Sequence, residues 1–459
     1  MYKKTIANLF LRCNMKKFNA LEESCFLKLV FGFFTAVFLI GAVCMPDRAR
    51  MFSGLWQIVS QPSKISTNYF AVGGYAATFL NMGLVAAVYL AVFCLLKAKA
   101  TNVSTLGFLL TLGFSSWGIH VLNIWPTIAG VCLYCLVKHE KLSANANAMM
   151  YSTGIAPLIT DLMVRYPNAE AIGYNPTGIV LGMVVGIAIG FFLPAGLTHA
   201  PNVHKGFDLY SAAVPIGMTA FFLQAVLFKT MGVGLPAAPA AETLQVASQT
   251  TVNIFCIVVF GLCVVFSLCM GGSFRDYGKL LKNEGNAGSY SAAFGNAAFL
   301  MNVGMYGLFI LAYYNLIGAS FNGVTFGIIF CMLACCNSGS NPLTVWPIMA
   351  GYVIASFLFG WLSSLAGGTF ACAINAQAIA VGLCFANGLS PISHKYGWPF
   401  GILAGAMHYL LVTSVPALHG GYCLYNGGLT AAVICILLVP NLERFARTKA
   451  ERKAVNPRS

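Results

Sequence analysis

Charge is what this chain has least of. Only 8% of its 459 residues are Asp, Glu, Lys or Arg, against about 25% in ordinary soluble domains. With 58% hydrophobic residues it cannot clothe itself in polar surface, which excludes a soluble globular protein. Acid is scarcest. Twelve Asp and Glu in all leave little for paired-carboxylate chemistry beyond Asp161, Asp208 and loop residues. HExxH, GxSxG, GxxxxGK[ST] and a helix-opening GxGxxG are all missing, so neither metal hydrolysis, nucleophile-elbow chemistry nor nucleotide binding has its usual signature. No catalytic residue, cofactor or metal is expected. The sixteen cysteines are scattered through apolar stretches. Cys132 and Cys135 form a CxxC with no second pair or histidine cluster at zinc spacing, and free thiols buried in helices account for them better.

The formal charge of +14 would suit nucleic acid were it spread along the chain. Instead Lys3, Lys4, Arg12, Lys16 and Lys17 precede the first apolar stretch, and Arg444, Arg447, Lys449, Arg452, Lys453 and Arg458 follow the last. Basic flanks stay in the cytoplasm and face anionic lipid headgroups. The partner is therefore the lipid bilayer and not nucleic acid: a multi-pass protein of the cytoplasmic (inner) membrane, both termini cytoplasmic, with an even number of spans. The first stretch, Phe26 to Met45, is long enough to cross. Its charged lead-in and lack of a small-residue cleavage site mark a retained span, not a signal peptide.

The chain also repeats itself. TNYFAVGGYAATFLNMG around 67–83 returns as GSYSAAFGNAAFLMNVG around 288–304, placing Tyr69 over Tyr290, Gly74 over Gly295, Asn81 over Asn302 and Gly83 over Gly304. WPTIAG from Trp125 falls on WPIMAG from Trp346, GIAPLI from Gly154 on GLSPIS from Gly388, and HKGFDLY from His204 on HGGYCLY from His419. Duplicated membrane sequence builds pathways, because two halves about a pseudo-two-fold axis enclose a site near the bilayer centre.

The fold class is all-α: a polytopic transmembrane helical bundle of two homologous repeats, with re-entrant or broken helices among its elements. Each half has about six apolar segments, near 26–45, 69–96, 105–137, 144–164, 176–197 and 208–230, and near 252–271, 290–318, 323–360, 370–388, 397–418 and 422–440. The domains are a basic N-terminus (1–25), a first repeat (26–231), a Pro- and Ala-rich linker (232–250), a second repeat (251–441) and a basic tail (442–459). The third segments exceed one span, and Trp125-Pro126 and Trp346-Pro347 interrupt them. Polar residues precede each interruption: Ser115, Ser116, His120 and Asn123, then Asn337, Ser338, Ser340 and Asn341. A re-entrant pair explains both length and polarity, since irregular backbone at membrane depth survives only beside protein or a cavity; a long kinked helix explains the length alone. In the fifth segments Gly178, Gly182, Gly186 and Gly190, and Gly397, Gly401 and Gly405, recur every four residues, with Gly178 aligned to Gly401. They line one helix face for close packing.

Candidate pathway residues are the polar groups that fall on this repeat. His204 matches His419, Tyr210 matches Tyr425 and Ser211 matches Asn426; such neutral donors and acceptors suit a dehydrating solute, while interfacial tyrosines and a capping turn are the plainer reading. Asn81 and Asn302 cannot stay unpaired in hydrocarbon and serve either as interhelical glue or as pore lining. Asp161 with Arg165 suits a salt bridge near a helix end. His120 and His408 lack partners in sequence and read as packed core histidines.

On the repeated LNMG and LMNVG, the two WP[TI][IM]AG strings and the HxGxxLY turns, the whole chain resembles a family of bacterial integral membrane proteins catalogued as a domain of unknown function. LYNGG at 424–428 is similar to a repeated turn of urea channels, although the first copy here is LYSAA and the chain is longer. That likeness implies a channel-like pathway. The reading is a channel or transporter for a small polar solute or ion, open to assembly as a homo-oligomer. The alternatives are a membrane-embedded enzyme and a non-transporting scaffold. Repeat orientation stays open, because an odd number of crossings per half gives inversion and an even number a parallel pair.

Overall fold

The structure is a computed structural model and describes residues 15–167, 171–231, 248–283, 288–370 and 372–455. Residues 1–14 of the basic N-terminus, most of the 232–250 linker and residues 456–459 of the basic tail lie outside the described residues. Among those residues every regular element is helical, and eight helices are long and apolar enough to cross a membrane. Their outer faces stay apolar where they are exposed, at Ile40, Val43, Ile254, Ile257, Phe357 and Leu358. A surface of this kind needs lipid.

The first half comprises α1 (Glu23–Cys44), short α2 (Met51–Ser60), α3 (Tyr69–Gly73), α4 (Tyr75–Leu95), α5 (Asn102–Phe114), α6 (Trp125–Lys138), α7 (Ala146–Tyr151), α8 (Ala156–Arg165), α9 (Pro176–His204) and α10 (Ala213–Gln224), which a π-turn extends to Thr230. The second half repeats the order. It has α11 (Gln249–Cys269), α12 (Phe274–Leu281), α13 (Tyr290–Phe294), α14 (Asn296–Leu316), α15 (Gly323–Leu333), α16 (Pro342–Leu365), α17 (Gln377–Ala386), α18 (Ser390–Tyr396), α19 (Trp398–Val412) and α20 (Asn426–Phe445), followed by α21 (Lys449–Val455).

Equivalence extends to single backbone groups. Gly74 and Gly295 take φ of +89° and +86°, a region L side chains avoid, and each separates a five-residue helix from a 21-residue one. The freed amide two residues on is capped from outside the helix in both halves: Ala76 N–H donates to Asp47 Oδ1 at 3.0 Å and Ala297 N–H to Asn19 Oδ1 at 2.9 Å.

The third segments are re-entrant hairpins. Asn322, the cap of α15, touches Gln377 at the start of α17, and Met332 near its end touches Asn387 just past α17, so α15 and α17 run parallel. Ser340, just before α16, meets Ser390 beyond α17, and Tyr352, midway along α16, meets Gly382 within α17, so α16 runs back the other way. The first half behaves alike: α9 passes Leu162 at Gly178, Pro126 at Gly186 and Thr127 at Gly190, placing it antiparallel to α8 and parallel to α6.

The two halves are inverted. α5 and α15 are counterparts and pack side by side in opposite senses. Ser116 beyond the end of α5 meets Gly323 at the start of α15, Asn102 at the start of α5 meets Ser338 beyond α15, and the equivalent pair Leu110 and Cys331 meet between them. Asn68, Ser248 and Asp47 gather toward the Gly323 end; Glu23, Gly288 and Ser289 gather toward the Asn102 end. α1, α4, α7 with α8, α9 and α10 therefore traverse the bundle five times, and an odd count inverts the next half.

Two expectations need correction. Trp125-Pro126 and Trp346-Pro347 are not the breaks. Chain direction changes earlier, at 115–124 and 334–341, and Pro347 lies inside α16 because Asn341 and Pro342 have already begun that helix. In the fifth segments Gly186 corresponds to Gly401, each facing the WP proline, and Gly190 to Gly405, each against the next residue's carbonyl. The alignment of Gly178 with Gly401 slips two turns because a four-residue glycine period fits several registers. Gly397 is a turn glycine before α19 with φ +104° and not part of the packing face.

A Cβ on Gly405 would sit 2.3 Å from the Ile348 carbonyl, whereas Gly261 on α11 has nothing within 4 Å. Gly405→Leu should lower detergent-solubilised stability by about 1–3 kcal/mol, and Gly261→Leu should leave melting unchanged. Inversion is checked by impermeant thiol labelling in a cysteine-free background. Arg50→Cys and Arg275→Cys, each just past the first span of its own half, should react from opposite faces of the membrane; reaction from the same face would refute the inverted path.

Candidate functional site

The hairpin tips carry most of the polar residues singled out by the repeat. An interrupted helix leaves carbonyls and amides that lipid cannot satisfy, and the tips are built around that need. Asn81 Nδ2 donates to the carbonyls of Ser115 (2.7 Å) and Ile119 (2.8 Å). Asn302 Nδ2 donates to the equivalent carbonyls, Cys336 (2.8 Å) and Ser340 (3.0 Å). Both asparagines are fully buried, and one amide in each half satisfies two tip carbonyls.

The returning arms are capped in parallel fashion. Asn341 Oδ1 accepts from Leu343 and Thr344 N–H, and Thr344 Oγ1 accepts from Asn341 N–H. In the first half His120 Nδ1 accepts from Leu122 and Asn123 N–H, both at 3.3 Å, while Asn123 Oδ1 accepts from His120 N–H at 2.9 Å. With Nδ1 accepting, the proton sits on Nε2, which donates to Thr160 Oγ1 at 2.9 Å. His120 is thus a capping residue. His408 likewise spans Tyr352 and the Gly427 carbonyl.

The two tips do not meet; each meets the base of the other hairpin. Ser116 Oγ donates to the Gly323 carbonyl at 2.6 Å, made possible by Gly113 and Gly327, where any Cβ would strike the opposite backbone. Ser115 Oγ donates back to the Thr111 carbonyl. At the other end Asn337 Oδ1 accepts from Ser291 N–H at 2.9 Å, Ser338 contacts Asn102, and Glu23 accepts from Ser289 and Ser291.

The HxGxxLY turns lie elsewhere. His204 Nδ1 accepts from Asp208 N–H and His419 Nδ1 from Cys423 N–H, each at 3.2 Å. Their Nε2 atoms donate to Ser211 Oγ and Asn426 Oδ1. Each imidazole therefore stitches its own turn, and Asn426 also donates to the Val412 carbonyl.

What the turns present is tyrosine, and they present it to the opposite half. Leu209 N–H donates to the Gly388 carbonyl (3.0 Å), and Leu424 N–H donates to the Gly154 carbonyl (2.9 Å). Gly388 and Gly154 sit at the breaks of α17–α18 and α7–α8, where a Cβ would strike Tyr210 and Tyr425 respectively. Tyr210 O–H donates to the Cys331 (2.8 Å) and Cys384 (3.2 Å) carbonyls. Tyr425 packs on Phe114 and Tyr151, and its hydroxyl has no partner. Both tyrosines touch Phe385. The GIAPLI and GLSPIS match marked these glycines, but nothing in sequence said which tyrosines would cover them. Asp161 bonds Tyr422 O–H at 2.9 Å and pairs with Arg165 at 3.5 Å, the expected salt bridge.

The comparisons agree with the duplication. The chain matches a family described as "Protein of unknown function (DUF1576)" over residues 47–229 and again over 270–444. It belongs to that family. It is also similar, at 27% identity over 96 residues, to "Uncharacterized protein YhfT" of Escherichia coli (strain K12); the alignment spans 21% of this chain and 22% of that protein. No solved structure matches, and the likeness to urea channels finds no support.

Asn81→Leu and Asn302→Leu should each destabilise the protein by about 1–3 kcal/mol, because two buried tip carbonyls lose their donor. Thermal melting in detergent reads this, and the two variants should fall by similar amounts.

Proposed function

We propose that the protein is a transporter or channel moving a small polar solute or ion along the interface between its inverted halves. The observation that carries the reading is the arrangement of two re-entrant hairpins and two broken helices, each completed by a tyrosine turn from the other half. Interrupted helices at a repeat interface are how secondary transporters place backbone dipoles and carbonyls around a solute. Polar groups are costly in lipid and useful where they replace hydration. Ser116, Asn337, Tyr210 and Tyr425 are the residues we assign to the path.

We also place both termini in the cytoplasm. The Asn102 end of the bundle gathers Lys97, Lys99, Lys138, Lys141, Arg275, Lys279, Lys282, Lys395 and Arg444, while the opposite end has Arg48, Arg50, Lys64, Arg165 and Lys229. The richer end faces the cytoplasm under the positive-inside rule.

A scaffold without transport is favoured by one observation: all four assigned residues are buried, and three of them already have partners. The test separates the two. In a cysteine-free background reconstituted in proteoliposomes, Ser116→Cys, Asn337→Cys, Tyr210→Cys and Tyr425→Cys should react with a small hydrophilic thiol reagent, and transported solute should protect them. If all four stay unreactive, the scaffold reading stands.

A further inference from the structure

The duplication supplies an internal control, because each broken helix should be completed in the same way. In the first half the residue before Gly154 is Thr153, whose hydroxyl donates to the Met150 carbonyl at 2.6 Å. The turn covering that break carries Cys423, buried and neutral in character. In the second half the residue before Gly388 is Asn387. Its Nδ2 donates to Tyr306 O–H and to the Met332 carbonyl, yet its Oδ1 is buried with no donor. The covering turn carries Asp208 where the other has Cys423. Asp208 Oδ1 accepts from Tyr210 N–H at 2.9 Å, and Oδ2 is buried with no donor. Asp208 is 2% exposed and Asn387 fully buried. Both border Gly388, whose Cβ would lie 2.7 Å from Asp208 Oδ1. At the first break the unpartnered group is a hydroxyl, that of Tyr425, whereas the second holds two acceptors that lack a donor, one of them a carboxyl.

We propose that Asp208 is a single-proton site at the break between α17 and α18, beside Tyr210, which the solute-path reading assigns to the path. The proton comes from water and bonds to Asp208 Oδ2. The resulting O–H turns an orphan acceptor into a neutral hydroxyl, at the same break where Asn387 Oδ1 lacks a donor. One proton removes a buried charge that no Lys or Arg among the described residues pairs with. The other titratable groups facing Asp208 are His204 and Tyr210 of its own turn, Cys335 of the hairpin tip and Cys435 of α20. His204 is tied up at both nitrogens, and Tyr210 donates to the Cys331 and Cys384 carbonyls. An unpartnered carboxyl at membrane depth is where proton relays are built.

A proton held by the folded protein and released on unfolding makes stability fall as pH rises. Melting of the purified chain in detergent should therefore fall as pH rises above about 5, with a one-proton slope that levels off once Asp208 has ionised in the folded protein, and Asp208→Asn should lose that slope. If Asp208→Asn does not fold, Asp208→Cys, the residue of the other half, replaces it. Dicyclohexylcarbodiimide, which attacks protonated carboxyls in apolar surroundings, should label wild-type Asp208 several-fold more at the acid end. Equal slopes in wild type and variant, or labelling at Asp208 that does not change with pH, would overturn the proposal. Neither readout needs solute, so their failure leaves the solute path standing, and failure of the thiol experiment leaves the proton site standing.

Discussion

Backbone groups at interrupted helices have to find partners without water, and the rest of this architecture answers that constraint. Each half contains a hairpin whose tip would otherwise leave carbonyls bare in hydrocarbon, where an unsatisfied group costs several kcal/mol. Asn81 and Asn302 meet the cost with one side-chain amide each, bonding two carbonyls four residues apart in the tip. His120 and Asn341 cap the returning arms by different chemistry on the same geometry. The polar residues of the repeat are, first of all, the means by which broken helices survive.

The same constraint ties the halves together. Gly154 and Gly388 give up their carbonyls to the turn of the opposite half, and their missing side chains make room for its tyrosine. Neither broken helix is complete without the other half. The two inverted halves are interlocked at their interruptions by a small set of named bonds. The Ser116 to Gly323 contact and the Ser338 to Asn102 contact join a hairpin tip of one half to the base of the hairpin in the other.

Departures from symmetry then become informative. Where both copies serve only the fold, as with the histidines of the two turns, the chemistry matches bond for bond. Where Asp208 stands for Cys423 and Asn387 for Thr153, each side chain bonds the fold through one of its polar atoms and leaves the other without a partner. Two acceptors are left without donors, and a buried unsatisfied group is a standing cost.

Membrane location and the duplication were legible in the chain itself, because composition and repeated strings such as WPTIAG and WPIMAG are one-dimensional signals; the breaks were not, since the prolines of those strings sit within the returning helices. Asn81 and Asn302 were legible as paired groups, though not what they bond. The register of the fifth segments was not legible, since glycine every four residues looks the same after a shift of one turn and only contact with Pro126 and Pro347 fixes it. Nor was inversion: loop charges could not be sorted until the path showed that α5–α6 and α15–α16 turn back while α7–α8 and α17–α18 pass through. Sequence alone established a duplicated helical membrane protein whose polar residues come in matched pairs. Which half each pair serves, and that Asp208 lies unpaired beside Gly388, only the tertiary structure decided, because those facts depend on crossings between residues distant in the chain.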